Sequence, residues 1–111
     1  MGSARRYKGR ALLLFVDSRE KNFNEPGRIA FIAPKRIGGA VLRNRAKRVM
    51  REALRAAKKD NPEISFICDK FNIILMANTA TAGVGTALAT DCLKALFGQF
   101  AEKNNTELAK K

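Results

Sequence analysis

Histidine is absent from this chain, and so is tryptophan. Without imidazole the protein lacks the usual general base, the usual proton shuttle and the commonest nitrogen ligand for a metal. Acids are scarce, ten Asp and Glu against 22 Lys and Arg. They are also scattered (Asp17, Glu20, Glu25, Glu52, Asp60, Glu63, Asp69, Asp91, Glu102 and Glu107), and no close pair suggests a two-metal nuclease site. The two cysteines, Cys68 and Cys92, have no CxxC spacing, so buried free thiols in a reducing cytoplasm are expected. No apolar run approaches the roughly 18 residues a membrane span needs. The longest, residues 11–16 and 73–77, have strand lengths. The N-terminus is basic, but the apolar run after it is too short for a secretory signal. A membrane partner, a disulfide scaffold and a catalytic centre made of this chain's own side chains are therefore not expected.

What the chain has in excess is positive charge. The net charge of +12 on 111 residues exceeds what solubility needs, so a polyanion is the first partner to consider. The length suits one domain with a single core. The charge is concentrated in residues 35–59, KRIGGAVLRNRAKRVMREALRAAKK. This stretch holds ten cations and one acid, Glu52.

Residues 11–16, ALLLFV, read as a strand, preceded by the basic Arg5, Arg6, Lys8 and Arg10. Residues 17–27 are polar and contain Pro26 and Gly27, which reads as a loop. Residues 28–33, RIAFIA, make a second strand, ended by Pro34 and the Gly38-Gly39 turn. Residues 40–59 make the strongest helix, with good helix formers and no internal Gly or Pro. Leu42, Ala46, Val49, Met50, Ala53 and Ala57 share one apolar arc, and Arg43, Asn44, Lys47, Arg48, Arg51 and Arg55 share the other half. Asp60-Asn61-Pro62 ends it. Residues 71–77, FNIILMA, are a third strand, and residues 64–68 are expected to add a short extra one. Residues 78–85 form a small-residue loop. Residues 86–103 form an amphipathic helix with Leu88, Cys92, Ala95, Leu96 and Phe100 at helical spacing. The order strand, strand, helix, strand, helix predicts a small α/β sandwich with helices packed on one sheet.

A row of guanidinium groups can make charge-assisted, bidentate contacts to successive phosphates and can stack on exposed bases. Asn44 adds an amide able to read a base edge or a ribose hydroxyl. Lys35 and Arg36 precede Gly38-Gly39 at the helix start, where an anion is favoured. Gly83-Val84-Gly85 lacks the third glycine of a dinucleotide loop and reads as a helix entry. In the first strand, alternation separates Leu12 and Leu14 from Leu13 and Phe15. On the residues alone a core place is favoured for Phe15; the other reading makes it a stacking platform for an unpaired strand.

Residues 28–48, RIAFIAPKRIGGAVLRNRAKR, resemble the signature region of the bacterial ribonuclease P protein component. Its hallmark is RNR, an apolar residue and KR, after a lysine-rich turn and an Ala-Val pair. Here that reads AV-L-RNR-A-KR, followed by Met50-Arg51-Glu52 and Leu54-Arg55. A weaker resemblance covers residues 10–103. It implies an α/β (α+β) two-layer sandwich: a four-stranded sheet with flanking helices and a left-handed βαβ crossover, opposite to the general hand. It also implies a ribonucleoprotein that removes the 5′ leader of precursor tRNA. There the RNA subunit performs the hydrolysis with Mg2+, and the protein assists substrate and metal binding without a cofactor of its own. Arg43, Asn44, Arg45, Lys47, Arg48, Arg51 and Arg55 would then contact RNA, with Lys35 and Arg36 beside them, and Phe15 would take the aromatic position of the leader cleft.

The chain departs from the family pattern in places. The family usually opens with a helix carrying phenylalanines, whereas the nine residues before Arg10 contain only Tyr7 as an aromatic. Ala30, Pro34, Gly39 and Asn78 stand where glycine, serine, asparagine and arginine are common. Residues 64–70 look longer than usual. The expected organisation is one RNA-binding domain over residues 1–111, with a basic segment at 1–9, a polar tail at 104–111, and a cytoplasmic setting with ribonuclease P RNA and precursor tRNA as partners. The alternatives are a stand-alone RNA-binding or ribosome-associated protein, and a nucleotide-dependent enzyme using the glycine loop.

Overall fold

The computed structural model describes residues 4–17 and 28–103; of the loop expected at 17–27, Asp17 belongs to a strand and residues 18–27 lie outside the described residues, as does the tail at 104–111. Among the described residues, four strands and three α-helices follow in the order β1 (Ala4–Lys8), β2 (Leu12–Asp17), β3 (Ile29–Ile32), α1 (Ala40–Asp60), α2 (Pro62–Lys70), β4 (Ile73–Ala77) and α3 (Thr86–Lys103). The sheet order is β1-β2-β4-β3. β1 pairs with β2 and β2 with β4, both antiparallel, while β3 runs parallel to β4. The parallel pair is joined by α1 and α2, which is a βαβ crossover.

One face of the sheet meets the helices. Leu12, Leu14 and Val16 of β2 and Ile73, Leu75 and Ala77 of β4 are buried there, each alternating with a half-buried residue. Against them pack Ala46, Val49, Met50, Ala53, Leu54 and Ala57 of α1, and Leu93, Leu96, Phe97 and Phe100 of α3. Alternation thus explains both central strands, since their side chains point to opposite faces. Phe15 falls on the face away from the helices and is half-buried. The core place favoured from residues alone is therefore corrected.

Other expectations shift. Residues 64–68 are not a strand: they lie inside α2, with Ile64, Ile67 and Cys68 buried at helical spacing. The helix begins there because Asn61 caps it, its side-chain oxygen accepting from the Glu63 N–H at 3.1 Å, with Pro62 in the first turn. Part of the basic segment at 1–9 is a strand, β1, with Tyr7 turned into the core. Among the described residues no helix precedes β2. The buried arc of α3 is rotated from the expected one. Leu88 is 49% exposed and Ala95 is exposed, whereas Ala89, Leu93 and Phe97 are inside. In α1, Leu42 is 40% exposed and Leu54 takes a core place.

Two glycines are required by geometry. Gly38 has φ 144°, a backbone that side chains rarely adopt, and its N–H closes the 3-10 turn Lys35–Ile37 onto the Lys35 carbonyl. Gly9 turns β1 into β2, and a Cβ there would stand 2.4 Å from the Cys92 sulfur. The loop after β4 is stitched to the start of β2. The Asn78 amide donates to the Arg10 carbonyl at 2.9 Å, and the buried Thr81 hydroxyl donates to the Ala11 carbonyl. At the far end of α1, Asp60 pairs with Lys94 of α3 at 2.8 Å. That hydrogen bond holds the Asp60 carboxyl below its ordinary pKa and the Lys94 ammonium above its own.

Candidate nucleic-acid interface

A like-charged row at i+4 spacing disfavours an isolated helix, so α1 depends on its apolar side and its neighbours to hold its cations in place. The neighbours engage several charged groups individually. The Arg43 Nε–H donates to the Ala33 carbonyl at 3.1 Å, tying the first turn of α1 to the end of β3. The Arg51 guanidinium lies 5.7 Å from the Phe31 ring centroid, so β3 also steadies the middle of the helix. Glu52, the lone acid of the basic stretch, accepts from the Thr86 hydroxyl at 3.1 Å, at the first residue of α3.

Asn44, Arg45, Arg48 and Arg51 line one groove of about 540 Å³ with Val41. All four polar side chains are exposed and no acid lines the groove. Val41 is 74% exposed, an apolar surface among guanidinium groups that suits the face of a base or ribose. The sequence-predicted residues are thus partly brought together. Lys35, Lys47 and Arg55 lie outside this groove, and Arg43 faces β3 instead. Arg36 lines a different groove, beside Arg6, Lys8 and Arg10. Sequence reasoning had not chosen these last three. Their spacing of two, which puts strand residues on one face, was the available signal.

The bond from Arg43 to Ala33 gives a testable contrast with Arg48. Arg48→Ala should flatten the salt dependence of RNA binding by about one contact and leave the melting temperature unchanged. Arg43→Ala should also remove a net hydrogen-bond contribution of about 1 kcal/mol. For a domain of this size that is a drop of roughly 4–8 °C, readable by thermal unfolding. Equal melting temperatures for the two variants would show that the bond to Ala33 carries no stability.

Phe15 sits on the open face of the sheet in a row of paired positions, Arg6–Phe15–Ile74–Ala30. The next row is Lys8–Leu13–Met76–Ile32. The face is apolar at its centre, with cations on the β1 side. The Gly83–Gly85 segment enters α3, the Gly85 carbonyl accepting from the Ala89 N–H at 3.1 Å. Burial pushes the Cys68 thiol up to about 11, which leaves it protonated and a poor nucleophile at neutral pH.

Comparison with known proteins agrees with this geometry. A family model described as ribonuclease P matches residues 1–101. The chain is 35% identical over 92 residues to the ribonuclease P protein component of Dehalococcoides mccartyi, covering 81% of this chain and 70% of that one. It is 32% identical over 94 residues to that of Gluconacetobacter diazotrophicus, covering 72% and 77%. In fold it is similar to the Staphylococcus aureus RNase P protein, with a TM-score of 0.63 at 20% identity over 87% of this chain and 81% of that chain.

Proposed function

The chain belongs to the ribonuclease P protein family, and on that footing we propose how its surfaces serve a ribonucleoprotein endoribonuclease of tRNA 5′ maturation. It acts as the protein subunit, one RNA-binding domain that contributes charge and shape to an RNA-catalysed cleavage. The groove of α1 takes the phosphates of ribonuclease P RNA. The open face of the sheet, with Phe15 at its centre, takes the unpaired 5′ leader of precursor tRNA. Lys35, Arg36, Arg43, Lys47 and Arg55 flank these surfaces and add contacts of longer range.

One observation carries this reading: Asn44, Arg45, Arg48 and Arg51 converge on one groove without an acid among them. Each guanidinium can offer paired donors to a phosphate, and neutralising several phosphates releases counterions. Mg2+ serves the RNA-catalysed step on this reading. Among the described residues no three His, Cys, Asp or Glu side chains are grouped to hold a metal. No helix among them is long and apolar enough to cross a membrane, and the cytoplasm is the compartment proposed.

The test is reconstitution with a bacterial ribonuclease P RNA at low magnesium. The full-length protein should accelerate 5′ leader removal from precursor tRNA, most strongly where magnesium limits the RNA alone. A folded protein that binds RNA without accelerating cleavage would instead be a stand-alone RNA-binding module.

A further inference from the structure

Arg51 lines the α1 groove, yet nothing of opposite charge fixes it there. Its neighbours three and four residues away, Lys47, Arg48 and Arg55, are cations, which repel it without orienting it. Glu52 is the one acid of the helix that could serve before its last residue, and its carboxylate accepts from the Thr86 hydroxyl of α3. Among the described residues no ion pair or side-chain hydrogen bond takes up the Arg51 guanidinium. What holds it is the Phe31 ring of β3, whose centroid lies 5.7 Å away. Phe31 is half-buried, packs against the core and stands opposite Leu75 of β4. The sheet therefore fixes the ring, and the ring meets the guanidinium. Arg43 shows what this kind of contact spares. It too leans on β3, but it spends its Nε–H on the Ala33 carbonyl, and it does not line the groove. A ring face takes up no donor, so Arg51 is ordered with all five N–H groups still free for a phosphate. Ordering done before a ligand arrives is not charged against binding.

We propose that Phe31 is a positioning residue of the α1 groove: it fixes Arg51 so that the groove favours RNA whose phosphates are themselves fixed by folding. A flexible strand brings its phosphates to wherever a guanidinium stands, and it gains little from the ordering. A folded RNA presents phosphates at set positions, and it gains when the donors are already in place. Phe31 thus bears on which RNA is chosen, while the cations of α1 bear on how strongly any polyanion is drawn. The inference rests on the α1 groove being the surface for ribonuclease P RNA, as proposed above.

Binding of the full-length protein to a bacterial ribonuclease P RNA, and to unpaired oligouridylate as a flexible polyanion, measures this across a salt series. Phe31→Leu keeps an apolar side chain in β3 and removes the ring face. It should weaken binding of the folded RNA about two- to fivefold, the worth of an exposed cation–π contact. The salt slope should not change, because no charge has been removed. Oligouridylate should bind as before. In a protein already carrying Arg51→Ala, Phe31→Leu should have no further effect on the folded RNA. Phe31→Tyr keeps a ring and should retain the affinity. Ile29→Val controls for a loosened strand: Ile29 lies two residues earlier on the same face of β3 and packs against the same core, so its change should lower the melting temperature and leave RNA affinity alone. An equal loss for both RNAs, a loss that persists in the Arg51→Ala background, or a Phe31→Tyr variant no better than Phe31→Leu would each overturn the proposal. The two levels fail differently. If Arg51→Ala weakens folded-RNA binding and Phe31→Leu does not, only the positioning role is lost. If Arg51→Ala leaves that binding unchanged, the RNA lies on another surface and both readings fall.

Discussion

Replacing Arg45, Arg48 and Arg51 together with alanine should lower affinity for ribonuclease P RNA by about a hundredfold or more and flatten its salt dependence by about three. The three side chains share the α1 groove and are exposed. A hydrogen bond to a charged group is worth roughly 1.5–3 kcal/mol, so removing three such groups exceeds a factor of a hundred. The slope follows separately, because each phosphate no longer neutralised keeps its counterion and the duplex value is about 0.9 per phosphate. The fold should survive. Arg48→Ala and Arg45→Ala remove no contact described above, and Arg51→Ala removes its stacking on Phe31, about 0.5–1 kcal/mol. Nitrocellulose filter binding over a range of salt, beside a melting curve, measures both. The matching lysine variants should keep the slope while losing part of the affinity, since lysine holds the charge without the planar fork. A slope that stays unchanged in the alanine variant would put the RNA on another surface.

Phe100→Ala should be the most damaging single change within the core. Phe100 is fully buried, near the end of α3, where its ring meets Tyr7 edge-on at 6.2 Å and Phe71 at 5.2 Å. It thereby joins the last turns of α3 to the outer strand and to the residues just before β4. Truncating a buried phenylalanine costs about 3–5 kcal/mol, from lost transfer energy and the cavity left behind. Against a typical total of roughly 5–15 kcal/mol this removes about a fifth or more of the stability. In urea unfolding the midpoint should move well down with little change in slope. A loss below about 1 kcal/mol would show that the three rings do not pack as described. The change also bears on the cationic groove, because Tyr7 anchors β1 from inside while Arg6 and Lys8 stand on its outer side.

The basic helix was legible almost to the residue, expected at 40–59 and found at Ala40–Asp60. Its signals agree with one another: good helix formers, a glycine pair before it, Asn61-Pro62 after it, and charge confined to one half. The central strands were legible from apolar runs. β1 was not, because among RRYK only Tyr7 reaches the core, and a period-two apolar pattern needs more than one member. In α2 the run ISFIC has the β-branched and aromatic content of a strand, and the decisive cue was the short-range cap by Asn61, which propensity does not weigh. The phase of α3 was ambiguous because apolar residues surround much of its circumference, so Leu88 and Leu93 competed for the core. The site divides in the same way. A groove built from one helix can be read from a linear motif, while the groove of Arg6, Lys8, Arg10 and Arg36 exists only after residues 6–10 and residue 36 have been brought together by the sheet.

The strand order also sets a sequence of assembly. β1 and β2 form a hairpin from neighbouring residues, but among the described strands β3 pairs only with β4, which follows it after two helices. β4 is also the second partner of β2, so the sheet has no centre until Ile73–Ala77 is in place. On a chain synthesised from its N-terminus, at about 5–20 residues per second, the cationic residues of α1 leave the ribosome before the strand that completes their support. For that interval the most cationic segment of the chain is held by the least structure. An early encounter with anionic RNA would offset its self-repulsion and favour the helix before the sheet has closed.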